Sequence, residues 1–124
     1  MFLLRQLYRG LSSLHAPTEP LKIMAVKDTV ESAISGNTIT IFSKTWCPYC
    51  KRAKTLLTSE FPNVQTQIVE LDELDEGAAM QDYLYQKTSQ RSVPNIFINQ
   101  KHVGGCDSVV ALNSQGKLAS LVGA

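Results

Sequence analysis

Two cysteines separated by two residues stand in the run Thr45-Trp46-Cys47-Pro48-Tyr49-Cys50-Lys51. The thiolate is the nucleophile in thiol–disulfide exchange, and a cysteine of ordinary pKa is mostly thiol at neutral pH. The pair directly follows an apolar run and directly precedes a helical pattern, which sets both sulfurs in the first turn of a helix. Free backbone N–H groups at such a start favour negative charge. With Cys47 at the N-cap, Pro48 falls on the first helical position, where a proline is preorganised and its missing donor costs nothing. First-turn amides, that of Cys50 included, then point at the Cys47 sulfur, and Lys44 brings a cation three residues upstream. Cys50 lies deeper in the helix and is expected to be more buried and less acidic. The pattern reads as a reactive thiolate, Cys47, and its resolving partner, Cys50.

The competing chemistry for two cysteines at this spacing is half of a zinc site. Structural zinc needs four ligands, usually with a second pair at recognisable spacing. Only Cys106, His102 and His15 remain as candidates, with no second pair, so no metal is expected. Glu70, Asp72, Glu73, Asp75 and Glu76 form an acidic run, read as a solvated loop ahead of a helix, where acids also suit the helix dipole. Val93-Pro94 is the second informative pair. It lies between a helix and a strand, where a cis bond would bring backbone groups beside the thiols; a plain turn-forming proline fits the same residues.

The elements that must position these groups follow from periodicity. Val26, Val30, Ala33 and Ile34 mark an amphipathic helix stopped by Gly36-Asn37. The β-branched residues 38–42 read as a buried strand, residues 48–60 as a helix with Ala53, Leu56 and Leu57 inward, and residues 67–71 as a second strand. Residues 77–88 form a helix with Met80, Tyr83 and Leu84 as its core stripe. Residues 95–98 form a third strand, 99–101 a turn and His102-Val103 a short fourth strand. A final helical region holds Val109, Leu112, Leu118, Leu121 and Val122, interrupted at Gly116. An early strand–helix–strand unit implies a parallel pair and a late hairpin an antiparallel one. The fold class is α/β, a small four-stranded mixed sheet with helices on both faces.

A length of 124 residues suits one domain, and a net charge of +1 gives no strong field for nucleic acid or a membrane surface. Three cysteines are too few for a disulfide-scaffolded secreted domain and fit a reducing compartment. No apolar run approaches the ~20 residues of a spanning helix, so neither nucleic acid nor membrane is expected as a partner. Residues 1–23 differ from the rest. Phe2, Leu3, Leu4, Leu7, Tyr8, Leu11 and Leu14 recur at near-helical spacing, Arg5 and Arg9 precede Ser12 and Ser13, and the first acid is Glu19. An acid-poor, arginine-bearing start of this kind is similar to a mitochondrial presequence. A disordered tail, or translation from Met24 with a cytoplasmic product, are the other readings. Pro17 and Pro20 mark a linker, and the globular domain is assigned to residues 24–124.

The residues Ser43-Lys44-Thr45-Trp46-Cys47-Pro48-Tyr49-Cys50 resemble the active site of a dithiol glutaredoxin. Gln90-Arg91-Ser92-Val93-Pro94-Asn95-Ile96-Phe97-Ile98 resembles that family's cis-proline segment, and His102-Val103-Gly104-Gly105-Cys106-Asp107 its glycine-pair and aspartate segment. Ser92 stands where threonine is common, and Asn99-Gln100-Lys101 lacks the usual turn glycine. The resemblance implies a thioredoxin-like fold, a monomer, and glutathione as cosubstrate. Cys47 would attack glutathionylated proteins and small disulfides, Cys50 or a second glutathione would release it, and glutathione reductase would enter only indirectly. The resemblance also assigns Lys44 and Gln81 to the glycine carboxylate of glutathione and Tyr49 to the flank of the groove. Val93, ahead of Pro94, would pair with the cysteinyl part, and Cys106 and Asp107 would hold the γ-glutamyl end. Arg91 and Lys51 are candidates for added positive potential. A second reading is a dimeric carrier holding a [2Fe–2S] cluster through Cys47 and two glutathiones, against which the rigidity of Pro48 argues.

Overall fold

The computed structural model describes residues 18–124. The presequence reading therefore falls largely outside the described residues. The first helix, α1, spans Glu19–Ser35 and begins five residues ahead of the expected domain start. Pro20 belongs to its first turn, not to a linker. A proline is tolerated there because first-turn N–H groups have no intrahelical acceptor. Val26, Val30, Ala33 and Ile34 are its buried residues, the stripe read from the sequence.

The chain continues as β1 (Ile39–Ser43), α2 (Pro48–Glu60), β2 (Thr66–Glu70), a 3-10 turn (Leu71–Glu73) and α3 (Gly77–Thr88). It closes with β3 (Asn95–Ile98), β4 (Lys101–Gly104), α4 (Cys106–Ser114) and α5 (Leu118–Val122). The strand order is β2-β1-β3-β4, with β1 parallel to β2 and antiparallel to β3, and β3 antiparallel to β4. The mixed sheet expected from the element order is the one observed.

Both faces of the sheet are covered, so β1 is buried along its whole length and its apolar residues alternate between two cores. On one face Ile39, Ile41, Ile96 and Ile98 pack with Ala53 and Leu57 of α2, Val109 of α4, and Leu118 and Val122 of α5. On the other, Phe42 and Phe97 meet edge to face with centroids 6.0 Å apart, covered by α1 and by Met80 and Leu84 of α3. Thr40 points into this second face and donates its hydroxyl to Ala33 O at 2.9 Å, which satisfies a buried polar group.

The acidic run is mostly exposed, but it opens with a 3-10 turn that buries Leu71. Gly77 packs hard on that turn: a Cβ there would lie 1.7 Å from Leu71 O. Only glycine lets α3 start so close to the strand end that feeds the site.

Candidate active site

Strand β1 ends at Ser43, and the chain turns through Lys44-Thr45-Trp46 to enter α2 at Cys47. Cys47 is the N-cap, with extended backbone angles, and Pro48 takes the first helical position. The Cys50 amide donates to the Cys47 sulfur at 3.3 Å. Further bonds run from Cys47 N–H to Lys44 O and from Lys51 N–H to Cys47 O, each 3.1 Å. The turn is also pinned from outside. Asp72 accepts from the Thr45 amide at 3.0 Å and from the Thr45 hydroxyl.

The two sulfurs are unequal. Cys47 is 6% exposed and Cys50 is fully buried, although their neighbours Trp46 and Tyr49 are 69% and 61% exposed. Burial pushes the Cys50 thiol up to about 11, and its bond with Cys47 adds to the rise. Cys50 therefore rests as a thiol at neutral pH, while the Cys47 sulfur sits at the N-cap of α2 and accepts from the Cys50 amide.

The Val93–Pro94 peptide bond is cis, and Val93 O lies 3.8 Å from the Cys47 sulfur. A backbone group from a distant segment thus stands beside the nucleophile. Cys106 and Asp107 occupy the first turn of α4, directly after Gly104-Gly105. Cys106 is 4% exposed, and burial raises its thiol pKa, whereas Asp107 is exposed. Lys44 is half-buried, with its ammonium 5.8 Å from the Trp46 ring centre.

Gln81 projects from α3 and donates its amide to Arg91 O at 2.7 Å, so it braces the segment leading to Val93. Arg91, a candidate for added positive potential, is engaged elsewhere. Its guanidinium donates to Asp82 at 2.7 Å and lies over the Tyr85 ring at 4.6 Å. Lys51 is exposed, and no ion pair involves it among the described residues. His102 leans on Phe97 at 5.2 Å between centroids, and burial lowers its pKa. Among the described residues no three His, Cys, Asp or Glu side chains converge as metal ligands.

Two contributors escaped the sequence reading. Asp72 was grouped with its acidic neighbours, and its pairing with Thr45 crosses 27 residues without a local signal. Gln90, which heads the cis-proline segment but has no role of its own in the sequence reading, donates its carboxamide to Ser92 O and to Pro94 O, each at 3.0 Å.

The glutaredoxin family model matches residues 39–103, which span the dithiol turn, the cis proline, β1 to β3 and most of β4. Glutaredoxin-1 of Rhizophagus irregularis is 52% identical over 99 residues, covering 80% of this chain and 96% of the relative. A Ricinus communis glutaredoxin is 46% identical over 80% of this chain and 94% of its own length. Among solved structures, a buckwheat glutaredoxin–glutathione complex superposes with a TM-score of 0.77 at 39% identity, covering 86% of this chain and 94% of that one. The chain belongs to the glutaredoxin family, shares its thioredoxin-like fold, and is a thiol–disulfide oxidoreductase.

Proposed function

We propose that this oxidoreductase uses glutathione as its cosubstrate and acts first on glutathione mixed disulfides. The observation that carries the reading is the Val93 carbonyl 3.8 Å from the Cys47 sulfur, at a cis proline. An extended peptide whose own sulfur meets Cys47 finds a backbone partner at that distance, as in strand addition. The buckwheat neighbour, solved with glutathione, supports the same cosubstrate.

In the first step the Cys47 thiolate attacks the glutathione sulfur of a mixed disulfide. The new Cys47–glutathione bond forms as the old S–S bond breaks, and the substrate leaves as a thiolate that takes a proton from water. A second glutathione thiolate then attacks the glutathione sulfur on Cys47, releasing oxidised glutathione and regenerating Cys47. In the dithiol route Cys50 attacks Cys47 instead, expels glutathione and leaves a Cys47–Cys50 disulfide, which two further glutathiones reduce. A separate reductase restores the glutathione pool.

Lys44 and Gln81 serve the glycine carboxylate, Val93 pairs with the cysteinyl part, and Tyr49 flanks the groove. Asp107 accepts from the γ-glutamyl ammonium, while the N–H groups of the first turn of α4, where Cys106 is packed, suit its carboxylate. The acid-poor, arginine-bearing start supports mitochondrial delivery as part of this proposal. A reporter fused behind residues 1–23 and scored for import would test it.

The function is tested with a glutathionylated peptide, glutathione and glutathione reductase. Wild type is expected to turn over, Cys47→Ser to fall to the uncatalysed rate, and Cys50→Ser to keep mixed-disulfide activity while losing reduction of protein disulfides. Undiminished turnover by Cys47→Ser would remove the reading.

A further inference from the structure

We infer that Gln90 is a positioning residue of the site, whose carboxamide sets Val93 against the opposite wall of the groove. The inference rests on the glutathione reading above, since that reading makes Val93 and the Cys106–Asp107 turn the two walls.

The segment from Arg91 to Pro94 carries four backbone carbonyls past the nucleophile. Three are held by glutamine side chains: Arg91 O by Gln81, and Ser92 O and Pro94 O by Gln90. Carbonyl oxygens only accept, so the Gln90 carboxamide must turn its nitrogen to them, and its two hydrogens suffice for two partners. The two acceptors bracket Val93. Its carbonyl is the one left to face the Cys47 sulfur, and its N–H has no partner among the described residues. The clamp fixes a short piece of chain while leaving the backbone of its central residue open for pairing.

The same carboxamide faces the other wall across a gap that the two glycines leave open. A Cβ on Gly105 would meet Pro94 O at 3.5 Å and Gln90 Nε2 at 4.0 Å, and one on Gly104 would meet Gln90 Oε1 at 3.9 Å. Gly104-Gly105 leads straight into Cys106 and Asp107. One side chain thus holds the Val93–Pro94 segment and looks onto the turn that presents the first residues of α4, where a Cβ on either glycine would come within 4.0 Å of it. Gln90 is itself held, its amide donating to the Thr88 hydroxyl at 3.1 Å and its carbonyl accepting from Asn95 Nδ2 at 3.4 Å. Its own position is fixed by the end of α3 and the start of β3, so it can transmit that position to Val93. Gln90 touches neither sulfur. Its loss should loosen the fit of the glutathione moiety and leave the exchange at Cys47 nearly intact.

The test compares wild type with Gln90→Met, which keeps length and bulk but has no donor, and Gln90→Glu, which keeps shape but puts an anion against two carbonyls. The KM for a glutathionylated peptide should rise by about 3- to 10-fold in Gln90→Met and further in Gln90→Glu, with kcat within about twofold. In the unliganded protein the NMR order parameters of the Ser92 and Val93 amides should fall in both variants, while those of α1 stay unchanged. A wild-type KM in both variants would overturn the inference, as would KM and kcat worsening together in step with thermal stability. If wild type fails to process glutathione mixed disulfides, the cosubstrate reading fails. The order parameters then decide on Gln90, and unchanged Ser92 and Val93 values would overturn its role.

Discussion

Asp72 holds Thr45 by two bonds, one from the backbone amide at 3.0 Å and one from the hydroxyl, two residues ahead of the nucleophile. The 3-10 turn after β2 is thereby tied to the loop that delivers Cys47 to the start of α2. The Thr45 hydroxyl, then the Thr45 amide, with Lys44 adding positive charge, hold the Asp72 carboxyl below its ordinary 3.8. A depressed carboxylate contributes above its unfolded pKa, and the contribution is lost as pH falls through the lower folded value. The anchor is therefore intact at neutral pH and is lost only as pH falls below the ordinary 3.8 and through the lower folded value. Asp72→Asn keeps one acceptor and Asp72→Ala keeps none. Initial rates at pH 7 should rank wild type, then Asn, then Ala, with Ala reduced by about 3- to 10-fold through a looser Cys47. Equal rates for all three would show that the loop needs no anchor.

Cys50 sets a second expectation. Its thiol is pushed up to about 11, first by burial and next by its bond with Cys47. Intramolecular resolution needs the Cys50 thiolate, whose fraction grows close to tenfold per pH unit while the pH stays well below that value. Stopped-flow release of glutathione from the glutathionylated wild type should accelerate steeply between about pH 7 and 9. The Cys50→Ser protein should show no such release at any pH. A plateau for wild type below pH 8 would contradict the buried-thiol picture.

The local parts of this site are those that periodicity and spacing reveal. The β-branched residues of β1 and the Cys47-Pro48 step announce a strand and a helix start, because both depend on neighbours in the chain. The pairings that finish the site are long-range. Thr45 meets Asp72, and the Val93 carbonyl reaches Cys47 across 46 residues, so no window of sequence displays them. Arg91 looks like a free cation by composition, yet Asp82 and Tyr85 occupy it. Pro20 looks like a helix breaker, and its place in the first turn of α1 removes the conflict. In each case the chemistry was written locally, and the geometry depended on which distant group the fold delivered.

Glu31 of α1 joins two residues of α3, accepting from the Tyr83 hydroxyl at 2.5 Å and from the Lys87 ammonium at 2.9 Å. Burial acts against the Glu31 carboxylate, but Tyr83 and Lys87 together hold its pKa below the ordinary 4.5. Tyr83 is pushed up to about 12, by burial first and by Glu31 next. Lys87 and Glu31 are partly exposed, so their charge pair is worth little and the tyrosine bond matters more. Tyr83→Phe should cost about 1 kcal/mol at pH 7 in urea unfolding, with turnover unchanged. The deficit should shrink as pH falls below the ordinary 4.5 and through the lower folded value, where Glu31 gains a proton and the contribution of a depressed carboxylate is lost. A deficit that does not vary with pH would place the role of Tyr83 in packing alone.

The β3–β4 hairpin turns through Asn99 and Gln100, with φ of 48° and 68°. Two positive values in a two-residue turn mark the conformation that favours Asn-Gly, and this chain has Asn-Gln. Gln100 strains there because its Cβ disfavours left-handed backbone, and it makes no hydrogen bond that would compensate among the described residues. Asn99 differs, for its Nδ2 donates to Leu121 O at 2.7 Å and to Val122 O at 3.3 Å, tying the turn to the end of α5. The two positions should therefore respond to glycine with opposite sign. Gln100→Gly relieves strain that outweighs its added unfolded-state entropy, and should stabilise the domain by about 0.5 kcal/mol. Asn99→Gly relieves the smaller strain of an asparagine but leaves two carbonyls without their donor, and should destabilise it by about 1 kcal/mol. Thermal midpoints should move up by about 2–4 °C in the first variant and down by a larger amount in the second. A fall in both would mean that the turn relies on the Gln100 side chain in a way its backbone angles do not show.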